Sequence, residues 1–491
     1  MNYLSWMFTE LRTSITPHGW FGDTRLSHRL GVIVEQLGTH IGQSISQSGG
    51  KLSQSQAIYR FMDNPKVTME RLNAAENARL KQIIDLENPQ LMFVVSDTTE
   101  ADYTGQESAE HLGCLNTVYR KGFYLHTQLA LDAQGCPMGI WNQHIWNREA
   151  ATLGELNKSS AKVYENQKTA IENKESYRWL RDFEDVRDYF NDKPQTQVIH
   201  ICDREADIFE FLAAQSQNNP HQNVHFLIRS QHNRLLMDDP DKLWEAVGKL
   251  EKGGLYDVEL KAGRGLKKRT ARLEIRWKQV TLKAPQRFSY SATYPTNFPT
   301  VKVSILEAKE VTLSNNLQNL EQDAEPINEP IHWLLITSLP IENLQDAIKI
   351  MQYYGYRWHI EEFHVILKQG CAIEKLQLHE AHNLKNAIAL FSIVAGQVLR
   401  WRYLFQTQPE TPLELVGLSI KDYKALCIYL AVTKKIHFEP NPNPTVADYI
   451  RIVTCLGHGK IKNNAGVRAL WKGTQVANIV IEAFDAFSKS Q

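Results

Sequence analysis

A surplus of charge of one sign is what this 491-residue sequence lacks. Its 55 Lys and Arg stand against 55 Asp and Glu, and the formal net charge at pH 7 is zero. That excludes a uniformly basic coat for polyanions, so any grip on phosphates has to come from local patches. The zero hides a partition, with residues 1–75 at +2, residues 386–491 at +5 and the middle, 76–385, at −7. An acidic middle is compatible with a centre that awaits metal cations. Cysteine is scarce: six residues with no CxxC spacing, which excludes a disulfide framework and points to reduced thiols. Cys202 reads as a small buried strand residue. Long apolar runs are missing too. The longest, Ala387 to Leu399, is too short for a bilayer and reads as a buried helix. The first residues lack a basic-then-apolar signal pattern, so the expectation is a cytoplasmic protein with no membrane partner. No internal repeat is visible.

What is present suits an ordinary globular protein: 43% hydrophobic and 22% charged residues, with length enough for two to four domains. Amphipathic helical stretches occupy residues 1–75, including Arg29–Leu37 and Ser55–Met62. An α/β region follows. Leu91–Ser96 is a buried-strand run closed by Asp97, and Phe123–Leu131 with Met138–Trp146 form two strands around the turn Asp132–Gly135. Tyr177–Phe190 reads as a helix, Val198–Cys202 as a strand closed by Asp203, and Val224–Ser230 as another strand. Asp207 reads as a helix-surface or capping residue. Alternating segments at Ala271–Lys278 and Val301–Leu306 suggest antiparallel sheet, placed in a β-rich insertion at about 236–330. Asn315 to Pro330 reads as an exposed loop.

The densest chemistry lies in Tyr354–Lys368. On a continuous helix Tyr354, Arg357, Glu361 and Lys368 fall at about 0°, 300°, 340° and 320°, a narrow stripe roughly 21 Å long. Glu362 falls near 80° and faces elsewhere. A carboxylate can hold a divalent metal while Arg and Lys grip phosphates beside it. A mixed-charge stripe is also what a solvated helix face carries. The two strand-end acids change the balance. Asp97, Asp203 and Glu361 together match a known way of building a two-metal site, although either Asp alone could be a helix cap. His359 and His364 flank Glu361, but no Cys or His stands at zinc-ligand spacing elsewhere.

Ser96-Asp97-Thr98-Thr99, Cys202-Asp203-Arg204-Glu205-Ala206-Asp207-Ile208 and Tyr354…Arg357…Glu361…Lys368 together resemble the bacterial DDE cut-and-paste transposases. More narrowly, they are similar to the insertion-sequence-four family with its Tyr–Arg–Glu–Lys motif, of which the transposon-five enzyme is a member. Gly22-Asp23 with Arg25 and Arg29, and Tyr59-Arg60-Phe61, resemble that family's amino-terminal DNA-binding region. Trp333–Ser338 resembles the strand before its Glu helix, and Leu470–Gly473 the region it uses for pairing subunits. The resemblance implies an α/β fold: an RNase H-like catalytic core at 76–385 carrying the β-rich insertion, a helical DNA-binding domain at 1–75 and a helical dimerisation domain at 386–491. The separation of 158 positions from Asp203 to Glu361 leaves room for the insertion.

The implied chemistry is excision by nicking, hairpin formation and hairpin resolution, followed by strand transfer into target DNA. Asp97, Asp203 and Glu361 would bind two Mg²⁺ ions, with Mn²⁺ able to substitute. Tyr354, Arg357 and Lys368 would hold phosphates around the strained end. Trp333, 21 positions before Tyr354, would stack an extruded base, though a tryptophan at a strand start is also an ordinary core residue. Arg229 resembles a further arginine near the site, or else a salt-bridge partner for a buried carboxylate. Arg25, Arg29 and Arg60 would read the transposon ends. The basic run Arg264–Arg269 reads as a DNA contact or a surface turn. Expected partners are double-stranded DNA (terminal inverted repeats and target) and a second copy of the chain, in a bacterial, nucleoid-associated setting. The alternative is a transposase-derived DNA-binding protein that no longer cuts. A glycosidase with paired carboxylates lacks any sugar-stacking pattern tied to the acids.

Overall fold

The computed structural model describes residues 3–49, 51–153, 169–215, 222–260, 269–285, 300–311, 330–416, 418–458 and 466–490. The chain folds as two compact units, Met1–Leu156 with Trp358–Gln491, and Asn157–Arg357.

The first unit begins with α1 (Tyr3–Ile15), α2 (Thr24–Thr39), α3 (Ile45–Ser48), α4 (Leu52–Met62) and α5 (Met69–Glu87). Asp23 caps α2 through its side chain and Thr68 caps α5, while Asn88 ends α5 in the left-handed region. Three antiparallel strands follow in the order β3-β2-β1: β1 (Leu91–Asp102), β2 (Gly122–Leu131) and β3 (Pro137–Trp146). All ten residues of β2 are buried, as a central strand with apolar side chains on both faces should be. The β2–β3 hairpin stands where the sequence places it.

After the short α6 (Ala150–Leu153), the first unit resumes with α11 (Trp358–Val365), α12 (Ala381–Thr407), α13 (Ile420–Tyr429), α14 (Val446–His458) and α15 (Val467–Ser490). The long α12 packs against β3, α5 and α2, and α11 packs against β1 and β2. Gly139 on β3 is part of the fit. A Cβ there would come within 2.7 Å of the buried Glu76–Arg79 pair of α5. The amino-terminal and carboxy-terminal helices therefore share one core with the first three strands. Among the described residues no helix is long and apolar enough to cross a membrane.

The second unit holds α7 (Tyr177–Phe190), β4 (Gln197–Cys202), α8 (Phe209–Ala214), β5 (Val224–Arg229), α9 (Leu243–Gly248), β6 (Gly254–Leu260), β7 (Arg269–Leu282), β8 (Val301–Glu310), β9 (His332–Thr337) and α10 (Leu344–Gly355). β4 and β5 run parallel, and β5, β9, β8, β7 and β6 pair antiparallel in that order. The alternating segments expected of the insertion are thus strands, and they continue the sheet through β9. The expected loop at 315–330 and the basic run at 264–268 lie outside the described residues, apart from Pro330. Arg269 is described and pairs with Glu310.

Two expectations need correction. Asp97 does not close its strand: β1 runs on to Asp102, and what stops at Asp97 is full burial of the strand. The mostly polar residues after it continue the strand half-buried, apart from the buried Ala101. Tyr354 to Lys368 is also no continuous α-helix. α10 ends at Gly355, Tyr356 and Arg357 form a turn, α11 follows, and Ile366–Gly370 is a π-helical turn. The single stripe expected at about 100° per residue is broken twice.

Candidate active site

Asp97 and Asp203 are held by the same local device. Asp97 Oδ1 accepts the Thr98 N–H at 2.7 Å, and Asp203 Oδ1 accepts the Glu205 N–H at 2.7 Å. Both side chains are half-buried. Asp203 follows β4 directly and caps the short turn Arg204–Ala206, as its strand-end position foretells. In the first unit, Asp97 on β1 faces Thr127 on β2, and Glu361, half-buried, sits in the first turn of α11. Asp203 belongs to the second unit. Among the described residues no group of three His, Cys, Asp or Glu side chains is gathered as a ready metal site.

Lys368 lies on the π-helical turn. Its Nζ donates to the Glu100 carbonyl at 2.7 Å and stands 3.1 Å from Glu374 Oε1. Glu374 in turn accepts the Asp102 N–H at 3.1 Å, so the lysine is anchored to the end of β1. An ammonium has three donors, and these two contacts leave it able to meet an anion with the third. Glu374 carries no sequence signal for this task, because its partner lies 272 positions away.

In the second unit, Trp333 and Tyr354 meet edge to face, with ring centroids 5.8 Å apart and planes at 66°. Trp333 is half-buried at the start of β9 and Tyr354 is buried. Arg229 lies opposite Leu335 in the β5–β9 register, so it shares a sheet face with Trp333 two residues away. Its Nη2 donates to the His332 carbonyl at 3.2 Å. Arg357 is half-buried in the turn after α10, its N–H bonded to the Tyr354 carbonyl.

Near Asp203, Arg178 of α7 donates to Glu205 Oε2 at 2.6 Å. Burial pulls its guanidinium below the ordinary value, opposed by Glu205, Glu175, Asp182 and Asp203. Nothing in the sequence singles out this cation. Asp207 is fully buried, not a surface residue. It pairs with Arg234 Nη2 at 2.5 Å and accepts the N–H groups of Gln231 and His232 at 2.7 and 2.8 Å. It ties the loop after β5 to the turn after β4, a structural task set by residues far downstream.

On the amino-terminal helices, Arg25 is 90% exposed and bonds Asp23 through Nε at 3.1 Å and Nη2 at 2.9 Å. This pairing holds the Asp23 carboxyl below its usual range and costs an incoming phosphate some competition. Arg29 is half-buried on α2 and Arg60 exposed on α4. Leu470 and Trp471 lie on α15, both buried within the first unit. All six cysteines are buried and unbridged.

Parts of this chain are similar to known proteins. A solved synaptic complex of piggyBac transposase with hairpin DNA is similar over 79% of this chain and 68% of that one, at 9% identity and a TM-score of 0.34. So loose a superposition carries no argument. The family models are more informative, though neither match reaches Asp97 or Asp203. Residues 13–67, which include Arg25, Arg29 and Arg60, match the family described as Transposase DNA-binding, and residues 218–395, which include Glu361, match the family described as Transposase DDE domain.

Proposed function

We propose that this chain is a DDE-type DNA transposase of the insertion-sequence-four kind, built on an RNase H-like core. The observation that carries the reading is the pair of family matches, DNA-binding ahead of DDE domain, on a chain that also presents Asp97, Asp203 and Glu361. The element order β1, β2–β3, α7, β4, α8, β5 supports it, since that core requires strand, hairpin, helix, strand, helix, strand in sequence.

By donor chemistry the three carboxylates suit Mg²⁺ or Mn²⁺, which prefer hard oxygen ligands. Mg²⁺ is commonly held by one or two carboxylates together with substrate phosphates, so no ready-made cluster of three is required before DNA arrives. Two bound ions would supply Lewis acidity, activating the attacking water or 3′-hydroxyl and steadying the leaving oxygen. The chain's own residues do the rest. Lys368, Arg357 and Tyr354 hold phosphates beside the cleaved bond, with Lys368 fixed by Glu100 and Glu374. Trp333, backed by Tyr354, offers a ring face to an unstacked base when a hairpin forms. Arg229, on the same sheet face, reaches the adjoining backbone. Arg25, Arg29 and Arg60 bind the inverted repeats, Arg25 after leaving Asp23. Exposed Ile428, Val432, Ile479 and Phe487 on or next to α13 and α15 support pairing of two copies through the carboxy-terminal helices.

The test uses purified protein and an end-labelled duplex of the inverted repeat that flanks its gene. With Mg²⁺ a denaturing gel should show a nick and then a hairpin species, and neither should form with EDTA or in Glu361→Ala. Binding without cleavage in Mg²⁺ and Mn²⁺ alike would instead identify a transposase-derived DNA-binding protein.

A further inference from the structure

Glu362 neighbours Glu361 on α11 and is occupied elsewhere. Its carboxylate pairs with the Arg402 guanidinium of α12. Its Oε2 also accepts the Tyr403 hydroxyl at 2.7 Å. Three positions earlier, His359 stacks on the Tyr403 ring with centroids 4.0 Å apart and planes at 21°. Positions 359 and 362 share one helix face, so a bonded carboxylate and a stacked ring grip α11 at two points on the same side. Both charged side chains are largely buried, 10% exposed for Arg402 and 15% for Glu362. A buried pair of this kind is a poor source of net stability, because desolvation offsets the attraction. What it fixes well is geometry.

Glu361 sits about 100° round the same helix turn, on a helix that packs against β1, the strand of Asp97. A carboxylate that is to meet a metal must be held within about 0.5 Å and 10–20°. The roll of α11 on its axis decides where Glu361 points.

We propose that Glu362, Arg402 and Tyr403 are positioning residues, which set the roll of α11 and so aim Glu361 at its metal. The inference rests on the reading of Glu361 as a catalytic carboxylate. No sequence signal marks the trio: the partners stand 40 and 41 positions apart, and a Glu beside a catalytic Glu reads as a helix-surface residue.

The experiment uses the full chain bound to end DNA. Glu362→Met combined with Arg402→Met replaces the pair by apolar side chains of similar length, a change that generally leaves stability unharmed. Three quantities are read: DNA affinity in EDTA, Mn²⁺ bound to the protein–DNA complex by loss of the free-ion paramagnetic signal, and the Mn²⁺ concentration for half-maximal nicking. The double variant should bind DNA as wild type does, while the half-saturating Mn²⁺ in both metal assays rises by about 10–100-fold. A folded double variant that binds Mn²⁺ and nicks with unshifted midpoints overturns the proposal. Should the double variant not fold, Tyr403→Phe carries the same test, with a smaller shift in the same direction expected and no shift overturning it. Glu361→Gln separates the two levels. If it nicks at the wild-type rate, the catalytic reading of Glu361 falls; if it is inactive while the double variant is unshifted, only the positioning role falls.

Discussion

Asp97 and Asp203 each commit Oδ1 to a backbone N–H close by in sequence, and this decides which substitution is informative. Asparagine keeps the accepting oxygen at both positions, and at Asp203 it ranks with aspartate as a cap, so Asp→Asn removes charge with little cost to folding. Trp333 poses a different question. Its strand-start position is equally that of a core tryptophan, yet the ring is only half-buried and Tyr354 backs one edge. If the ring receives a base, Trp333→Ala should lose about 1–3 kcal/mol of hairpin binding, and Trp333→Phe should recover most of it. A fluorescent base analogue at the hairpin tip reads this directly, by quenching in wild type and none in the alanine variant. Equal quenching in both would leave Trp333 a packing residue.

The elements whose periodicity is strong were legible in the sequence. Tyr177–Phe190, the β2–β3 hairpin and the β4 strand stand where their apolar patterns place them: the helix buries one face and so shows its period, while β2 and β4 are short runs buried throughout, bounded by turn residues. Legibility failed where the backbone leaves its ideal period or where a partner is remote. The turn at Tyr356–Arg357 and the π-helical turn at 366–370 each shift the side-chain phase, and no residue type announces either. The second half of β1 escaped because Asp97–Asp102 carries a single apolar residue, Ala101, and is otherwise polar and half-buried, so no strand pattern shows. The surface reading of Asp207 failed, although it does stand at the C-cap of the Arg204–Ala206 turn, because its partner, Arg234, comes 27 positions later. That buried pair gives a sharp prediction. Asp207→Asn leaves the Arg234 guanidinium buried without its counter-charge and should destabilise the second unit by about 3 kcal/mol or more. Urea unfolding would show this as a lower midpoint at unchanged slope.

At the level of the whole chain, order along the sequence and membership of a core part company. α12 covers β3 and α5, while α1 and α2 pack with the same set, so the amino-terminal and carboxy-terminal helices are one body with the first strands. A fragment cut at 76–385 would lose most of α12 and expose the buried face of β3. It should bind a hydrophobic dye and lack a cooperative melt, whereas a cooperatively melting fragment would show that this core is dispensable. Zero net charge likewise conceals local structure, since positive termini flank an acidic middle. The acids matter most if three of them serve one reaction. Asp97→Asn, Asp203→Asn and Glu361→Gln should therefore be compared on one end-labelled inverted-repeat duplex in Mg²⁺, with binding and nicking measured side by side. All three variants are expected to bind as wild type does and to nick below detection; a variant that still nicks at the wild-type rate would contradict the shared metal centre.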